Sequence, residues 1–433
     1  MPGAPGEPVM TAAQNRGVSP TPLLARLAGL LTARRLLTHA GLLAVCVWSL
    51  YAFNLATPGL RDRAGHIKGA DFVQFYVGGY LARTGRLWDL YDLPAFAAWQ
   101  HALVPASAGG YLAAFYGPQV YLAFWPLARL SYGWAVVAWA LLNCAVYLAC
   151  CYALWRCCPK LRPHAGTVFL LAIAFPGFFN LIAFGQTSGP ALALFTLAFL
   201  ALRSRRNYLA GLAIGCLMYK PQLGLAAAVV FVLAAEWRIV AGAIAGAVAQ
   251  LAFAWTWFGA AAMKPYFGVL LTRQPWAFIE PKLYEMQSLR GFWFLLLPWQ
   301  GLAGILYALT AIAVLGVALV CWRSRAPLPL RYSALLLATV LAPPHCLIYD
   351  LVILAPALLL LANWALEHKE AGAGPALRVF LYAAYALPLL EPLAKFSHVQ
   401  LSVLGFGVLQ WLVWRAVRGD QARGWELSQP AGV

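Results

Sequence analysis

The chain contains many apolar segments that are long enough, or nearly long enough, to cross a lipid bilayer. Charged residues make up only 10% of it, against about 25% in soluble domains. In hydrocarbon every backbone polar group needs an internal partner, which favours helices. The sequence therefore predicts an all-α polytopic membrane protein with about 10–12 transmembrane helices, some short and broken. The predicted spans are 37–56, 131–155, 165–184, 188–202, 207–219, 221–235, 238–258, 300–322, 332–342, 347–364, 376–391 and 398–416.

The positive charge is concentrated on one side of the predicted membrane. The net charge is +17, and most of the 31 Lys and Arg residues lie in segments on the side of the N-terminus. This asymmetry predicts a multi-pass protein of the cell membrane with both termini in the cytoplasm. It leaves no basic face for nucleic acid, which excludes that class of partner. The predicted parts are a cytoplasmic segment (1–36), a transmembrane domain (37–416) with outer loops at 57–130 and 259–299, and a cytoplasmic tail (417–433).

The nine cysteines show neither a disulfide framework nor the spacing of a zinc site. Most of them lie in or beside predicted spans, where a thiol packs as a small apolar group. The sequence therefore predicts no metal site and no cofactor.

Asp71 begins the most informative polar stretch of the first outer loop. It stands in the motif Gly69-Ala70-Asp71-Phe72, and apolar residues at helical spacing follow it until Gly85. The pattern predicts an amphipathic helix lying at the membrane interface, with a carboxylate at its N-terminal end. Because Asp is a preferred capping residue, capping of this helix is the simplest alternative to a chemical role.

Two further outer segments carry aromatic and amide side chains. One is Tyr116-Gly117-Pro118-Gln119-Val120-Tyr121, which predicts a short interfacial helix that begins at a Tyr/Pro turn, although aromatic residues also anchor proteins at membrane surfaces. The other is Phe184-Gly185-Gln186-Thr187-Ser188, a turn between two apolar runs. A turn explains the glycine but not Gln186, whose amide suits a sugar hydroxyl.

Two cations lie close to apolar segments. Lys220 stands in Tyr219-Lys220-Pro221-Gln222, and a lysine in such a position usually faces a cavity, pairs with another group or extends to the surface. Arg290 stands in Gln287-Ser288-Leu289-Arg290-Gly291 at the end of the second outer loop. Its guanidinium has the shape that best binds two phosphate oxygens.

The last cluster is Pro343-Pro344-His345-Cys346-Leu347-Ile348-Tyr349-Asp350. A lone histidine is more often structural than functional, and a direct pair between His345 and Asp350 is not favoured by their spacing. The cluster nevertheless adds to a set of outer polar groups that suits sugar transfer from a lipid-linked phosphosugar. In such a reaction a carboxylate acts as general base on an acceptor hydroxyl, and cations stabilise the departing phosphate.

These motifs, in this order, resemble glycosyltransferase family 87 of the GT-C superfamily, over roughly residues 40–400. The resemblance implies a GT-C-type helical bundle and an inverting hexosyltransferase, with mannose the expected sugar. It implies a polyprenyl-phosphate sugar donor and a lipid or glycan acceptor, both met among membrane lipids on the outer face. Asp71 would be the catalytic base, and Lys220, Arg290 and His345 would bind the donor phosphate. The candidate substrate-binding residues are Tyr116, Gln119, Gln186, Tyr349 and Asp350.

Two other classes compete with this interpretation. A secondary transporter or lipid-linked-sugar flippase would also use broken helices and an intramembrane lysine. It would be expected to show repeat symmetry and acidic residues within its spans. A scaffold without enzymatic activity would leave the outer polar residues without a role.

Overall fold

The computed structural model describes residues 22–108, 112–271, 280–369 and 373–426. These residues form α-helices joined by short loops and 3₁₀ turns, and within them strand-like pairing is limited to two isolated bridges. The all-α prediction is confirmed. The helices are α1 (Pro22–Leu30), α2 (Ala33–Leu55), α3 (Phe72–Thr84), α4 (Leu93–Leu103), α5 (Pro118–Ala123), α6 (Tyr132–Arg156), α7 (Ala165–Ile173), α8 (Pro176–Ala183), α9 (Ser188–Arg203), α10 (Asn207–Gly215), α11 (Pro221–Leu233), α12 (Trp237–Leu271), α13 (Leu289–Leu296), α14 (Gln300–Arg323), α15 (Leu328–Leu341), α16 (Ala355–Glu367), α17 (Gly374–Ala386), α18 (Glu391–Ser397) and α19 (Leu401–Glu426).

In the described part of the chain, six helices are long and apolar enough to cross a membrane, or seven if one bent pair counts as a single span. Four shorter apolar helices accompany them, at 188–203, 207–219, 221–233 and 328–341. The polytopic prediction therefore stands, whereas a count of about 10–12 spans is reached only if short helices also cross. Such short helices can sit at membrane depth when other helices surround them.

The predicted breaks in the helices have identifiable causes. The predicted span at 165–184 is the bent pair, with an angle of 43° between Pro159–Ile173 and Pro176–Ala183. Pro176 has no N–H to continue the preceding helix, so a new one begins there. Within α12 the backbone turns at Gly259, whose φ of 71° favours glycine.

Helix α15 forms the centre of the bundle. Every residue from Tyr332 to Leu341 is buried, as expected for a helix that is apolar on all sides. It ends before Pro343-Pro344, because proline cannot continue the helical hydrogen bonds. The chain that emerges from this buried helix carries His345 and Asp350.

The first outer loop contains the predicted helix, but most of this helix is buried inside the protein. Helix α3 begins after Asp71 and ends at Gly85, which adopts the left-handed conformation with φ of 72°. Nine of its residues, on all sides, are buried. Gly78 and Gly79 let α5 approach: a methyl group at Gly78 would lie 2.0 Å from the Tyr121 ring. The prediction of an amphipathic helix with one side facing solvent is therefore wrong for α3, because α5 and α6 help to cover that side.

Candidate functional site

Asp71 directly precedes α3, at the capping position, but its side chain does not cap the helix. The preceding turn is tight, since Gly69 and Ala70 both have positive φ angles, of 82° and 39°. Asp71 itself has helical φ and ψ angles, and its side chain accepts no capping bond from α3. Asp92 behaves differently, since it accepts a 3.0 Å bond from the Ala95 N–H and caps α4. The capping alternative thus does not explain the carboxylate of Asp71.

The carboxylate of Asp71 is held instead by Gln186. The Gln186 Nε2 group donates a 2.6 Å hydrogen bond to Asp71 Oδ2. Gly185 makes this possible, because its φ is 61° and a Cβ there would meet the Gly69 carbonyl oxygen at 2.8 Å. The indole of Trp139 in α6 fixes the turn by donating to the Gly185 carbonyl oxygen at 3.0 Å.

Tyr116 lies on the other side of Gln186. Its hydroxyl donates to Gln186 Oε1 at 3.5 Å and accepts from the Thr187 hydroxyl at 3.5 Å. Burial raises the pKa of Tyr116. The charge of Lys220 lowers this pKa in part, whereas the charges of Asp350 and Asp71 raise it further. The phenol therefore remains protonated near neutral pH and can donate a hydrogen bond. It lies within electrostatic range of both carboxylates.

Lys220 forms a buried ion pair with Asp350, a pair that the sequence analysis did not identify. Lys220 Nζ lies 2.5 Å from Asp350 Oδ1, and the two residues are 2% and 0% exposed. The Ser188 hydroxyl bridges them, at 3.0 Å from Lys220 and 2.5 Å from Asp350. Lys220 does not extend to the surface. Its charge is compensated inside the bundle, as expected for an intramembrane lysine.

The loop after α15 pairs with the segment before α13, and this places Arg290 near His345. Met286 and Leu347 form an isolated antiparallel bridge, and the Gln287 N–H donates to the Cys346 carbonyl at 2.7 Å. The pKa of His345 is lowered to about 4, chiefly by burial and also by the charges of Lys220 and Arg290, although the charge of Asp350 opposes the change. His345 is therefore neutral at pH 7. The charged groups of Lys220 and Arg290 therefore lie within electrostatic range of the His345 imidazole.

Three buried polar atoms in this region have no hydrogen-bond partner among the described residues. They are His345 Nδ1, Ser288 Oγ and Gln287 Nε2. Ser288 is the residue before α13, and its side chain does not cap that helix. Buried polar groups usually have partners, so this group of atoms has the character of a site for a polar ligand. Ser288 and Ser188 were not predicted as site residues from the sequence, because serines at helix starts are common and usually cap the helix.

The remaining predicted residues fall at different places. Tyr349 lies beside the ion pair, with Lys220 Nζ 5.0 Å from the centre of its ring. The Gln119 side chain donates a 3.3 Å hydrogen bond to Gln250 in α12. In the described part of the chain, no three His, Cys, Asp or Glu side chains are grouped so that they could hold a metal ion.

The fold and the site define a membrane protein in which several helices meet at a polar centre containing a fixed carboxylate and an adjacent cationic group. Comparison with known families identifies which one: the model of glycosyltransferase family 87 matches residues 114–349, a little over half of the chain. The chain belongs to glycosyltransferase family 87. No curated protein and no solved structure matches it.

Membership of this family decides among the classes that the sequence left open, because it identifies a glycosyltransferase and not a transporter, flippase or scaffold. The match includes Tyr116, Gln186, Lys220, Arg290 and His345. Asp71 and Asp350 lie outside it, so the case for these two carboxylates rests on their geometry.

Proposed function

We propose that the protein transfers a hexose, mannose being the expected sugar, from a polyprenyl-phosphate donor to an acceptor hydroxyl, with inversion at the anomeric carbon. The proposal rests on the position of the Asp71 carboxylate. Gln186 orients it through a 2.6 Å hydrogen bond, and it does not cap α3. A fixed carboxylate beside a buried, cationic polar region suits a general base paired with an anionic leaving group.

The reaction is a single displacement. Asp71 removes the proton from the acceptor hydroxyl as its oxygen attacks the anomeric carbon. The bond between that carbon and the phosphate oxygen breaks, and the electron pair leaves with the polyprenyl phosphate. Attack opposite to the leaving group inverts the configuration, and Asp71 carries the proton at the end of the step.

Arg290 and His345 are the groups proposed to bind the phosphate of the donor. Ser288 Oγ, Gln287 Nε2 and His345 Nδ1 have no hydrogen-bond partner within the described part of the chain, and they can form hydrogen bonds with phosphate oxygens. Since Asp350 already neutralises Lys220 at 2.5 Å, Lys220 contributes chiefly by positioning Ser188 and Tyr349. Tyr116, Gln186 and Tyr349 are suitably placed for sugar hydroxyls, whereas Gln119 is directed at α12.

The donor is tested with the full-length protein reconstituted in liposomes with a membrane-lipid extract as acceptor. Radiolabelled polyprenyl-phosphate mannose should give a labelled lipid or glycan product, and a nucleotide-activated mannose should not. Transfer from the nucleotide sugar alone would contradict the lipid-linked donor. Transfer of glucose in preference to mannose from matched polyprenyl phosphates would change the sugar and keep the reaction class.

The outer location of the site is tested with single introduced cysteines. His66 and Ser204 are both exposed and lie on opposite sides in the proposed topology. An impermeant thiol reagent applied to intact cells should label His66→Cys above the background of the native cysteines. Ser204→Cys should be labelled only after the cells are opened, and the reverse pattern would place the site in the cytoplasm.

A further inference from the structure

A well-formed cavity with mostly apolar walls lies far from the Asp71 site. It has a volume of about 380 Å³, within the range of about 300–1,000 Å³ typical of ligand sites. Its walls include Tyr147 and Cys151 of α6, whereas the Asp71 site is near Trp139 of the same helix. Twelve residues of helix separate Trp139 from Cys151, a distance of about 18 Å. The cavity therefore belongs to the opposite end of the bundle.

The walls of this cavity are built from the ends of several helices. Arg378 of α17 fixes one wall by donating to the carbonyl oxygens of Ala28 and Leu31, at 3.0 and 3.1 Å. This holds the turn between α1 and α2 against α17. The interior is lined mainly by aliphatic and aromatic side chains from α7, α16 and α17: Val168, Leu171, Leu358, Leu359, Leu381 and Tyr382.

A cationic depression adjoins the apolar cavity. Thr32 lines both of them, and Arg34, Arg35 and His39 of α2 line the depression. Arg34 and Arg35 are exposed, so neither guanidinium is buried in an ion pair with an acidic residue. On the other side of the cavity, its rim carries His164 and the exposed Lys369.

We propose that this pair of concavities binds an anionic diacyl phospholipid of the surrounding bilayer, with an acyl chain in the apolar cavity and the phosphate headgroup at Arg34 and Arg35. An acyl chain suits this cavity because its methylene groups make dispersion contacts with the apolar walls. The cations determine the class of headgroup, since each Lys or Arg near the surface favours an anionic lipid. An apolar cavity beside a cationic depression suits an amphipathic anion better than a small polar ligand.

The test uses the full-length protein in lipid nanodiscs or by native mass spectrometry, titrated with phosphatidylglycerol and phosphatidylcholine of identical chains. We expect preferential binding of phosphatidylglycerol. Ala362→Phe fills the cavity and should weaken binding of both lipids by about tenfold or more, as expected when several buried methylene groups are displaced. The matched control is Ala313→Phe on the exposed face of α14, which should change neither affinity.

The headgroup contact is tested separately. Arg34→Ala with Arg35→Ala should lower phosphatidylglycerol binding by about tenfold. Phosphatidylcholine binding should fall by less, because the choline charge of that lipid neutralises its phosphate. Arg203→Ala with Arg206→Ala, two exposed arginines elsewhere, removes the same charge and should have no effect. Thermal unfolding and size-exclusion profiles establish that each variant is folded.

Three outcomes would overturn the proposal. One is equal affinity of the wild-type protein for the two phospholipids. Another is an equal effect of Ala362→Phe and Ala313→Phe. The third is a loss of polyprenyl-phosphate binding in Ala362→Phe while phospholipid binding persists, which would assign the cavity to a donor-type lipid.

Discussion

Gln186 and Asp71, 115 residues apart in the sequence, are joined by a 2.6 Å hydrogen bond between an amide N–H and a carboxylate oxygen. The contact forms because Gly185 has no side chain, so the turn before α9 can lie directly on the turn before α3. One oxygen of Asp71 is thereby oriented by the protein. A general base gains from such orientation, since a misplacement of about 1 Å can reduce a rate by about a hundredfold.

Asp71→Asn should reduce transfer by about two to four orders of magnitude, the usual contribution of a general base. The substitution keeps the size of the side chain and removes its ability to accept a proton. Turnover with a radiolabelled donor measures the effect. Asp92→Asn is the control, since Asp92 caps α4 and Asn caps as well as Asp. Full activity of Asp71→Asn would contradict the catalytic assignment.

Gln186→Glu should shift the acidic limb of the pH–rate profile to higher pH by about one unit or more, because a second carboxylate raises the pKa of the first. The base is then deprotonated only at a higher pH. Gln119→Glu places the same charge next to Gln250 and should leave the profile unchanged. A loss of activity in Gln186→Glu that is independent of pH would indicate a purely structural role for Gln186.

Lys220→Met should lower the free energy of unfolding by about 3–5 kcal/mol, because it leaves the Asp350 charge buried without its partner. The double change to Lys220→Met and Asp350→Asn should recover part of this loss. Unfolding in detergent, followed by circular dichroism, gives the comparison, and Lys160→Met at an exposed position should have little effect. If Lys220→Met were as stable as wild type but bound donor weakly, Lys220 would be a phosphate ligand instead.

Arg290→Lys should weaken donor binding by about tenfold, since a point charge does not reproduce the planar fork that meets two phosphate oxygens. The change should appear mainly in the KM for the donor. Arg129→Lys is a suitable control, because Arg129 stacks on the Trp125 ring at 4.8 Å much as Arg290 stacks on the Phe294 ring at 4.9 Å, and Arg129 is not among the residues proposed to bind phosphate. Equal kinetics for the two variants would remove Arg290 from the phosphate site.

His345 should make stability depend on pH in a defined window. Its pKa is about 4 in the folded protein, against the usual 6.5. Between these values the unfolded chain binds a proton that the folded protein does not, so stability falls as the pH decreases from 6.5 towards 4. In His345→Gln this part of the decline should disappear. His66→Gln, at an exposed histidine, should retain it, and identical profiles for the two variants would contradict the assigned pKa.

Much of the helical organisation follows from local sequence. Apolar length and the positions of proline and glycine predicted the end of α3 at Gly85 and the start of α11 at Pro221. The break near Pro176, by contrast, divides a segment that was predicted as one span. These features act within a few residues, through backbone geometry that proline and glycine impose wherever they stand. The sequence motifs also indicated the family, because several short motifs recur in a fixed order.

Only the tertiary structure decided how the polar residues meet. From the sequence, Lys220 could have faced a cavity, extended to the surface or paired with another group. In the folded protein it pairs with Asp350, 130 residues away. Helix α3 was expected to be amphipathic, but α5 and α6 help to cover the side expected to face solvent. The reason is the same in both cases. The cost of burying a charge or exposing an apolar face depends on which neighbours arrive from distant parts of the chain. Packing of the whole bundle determines those neighbours, so the local sequence does not predict them.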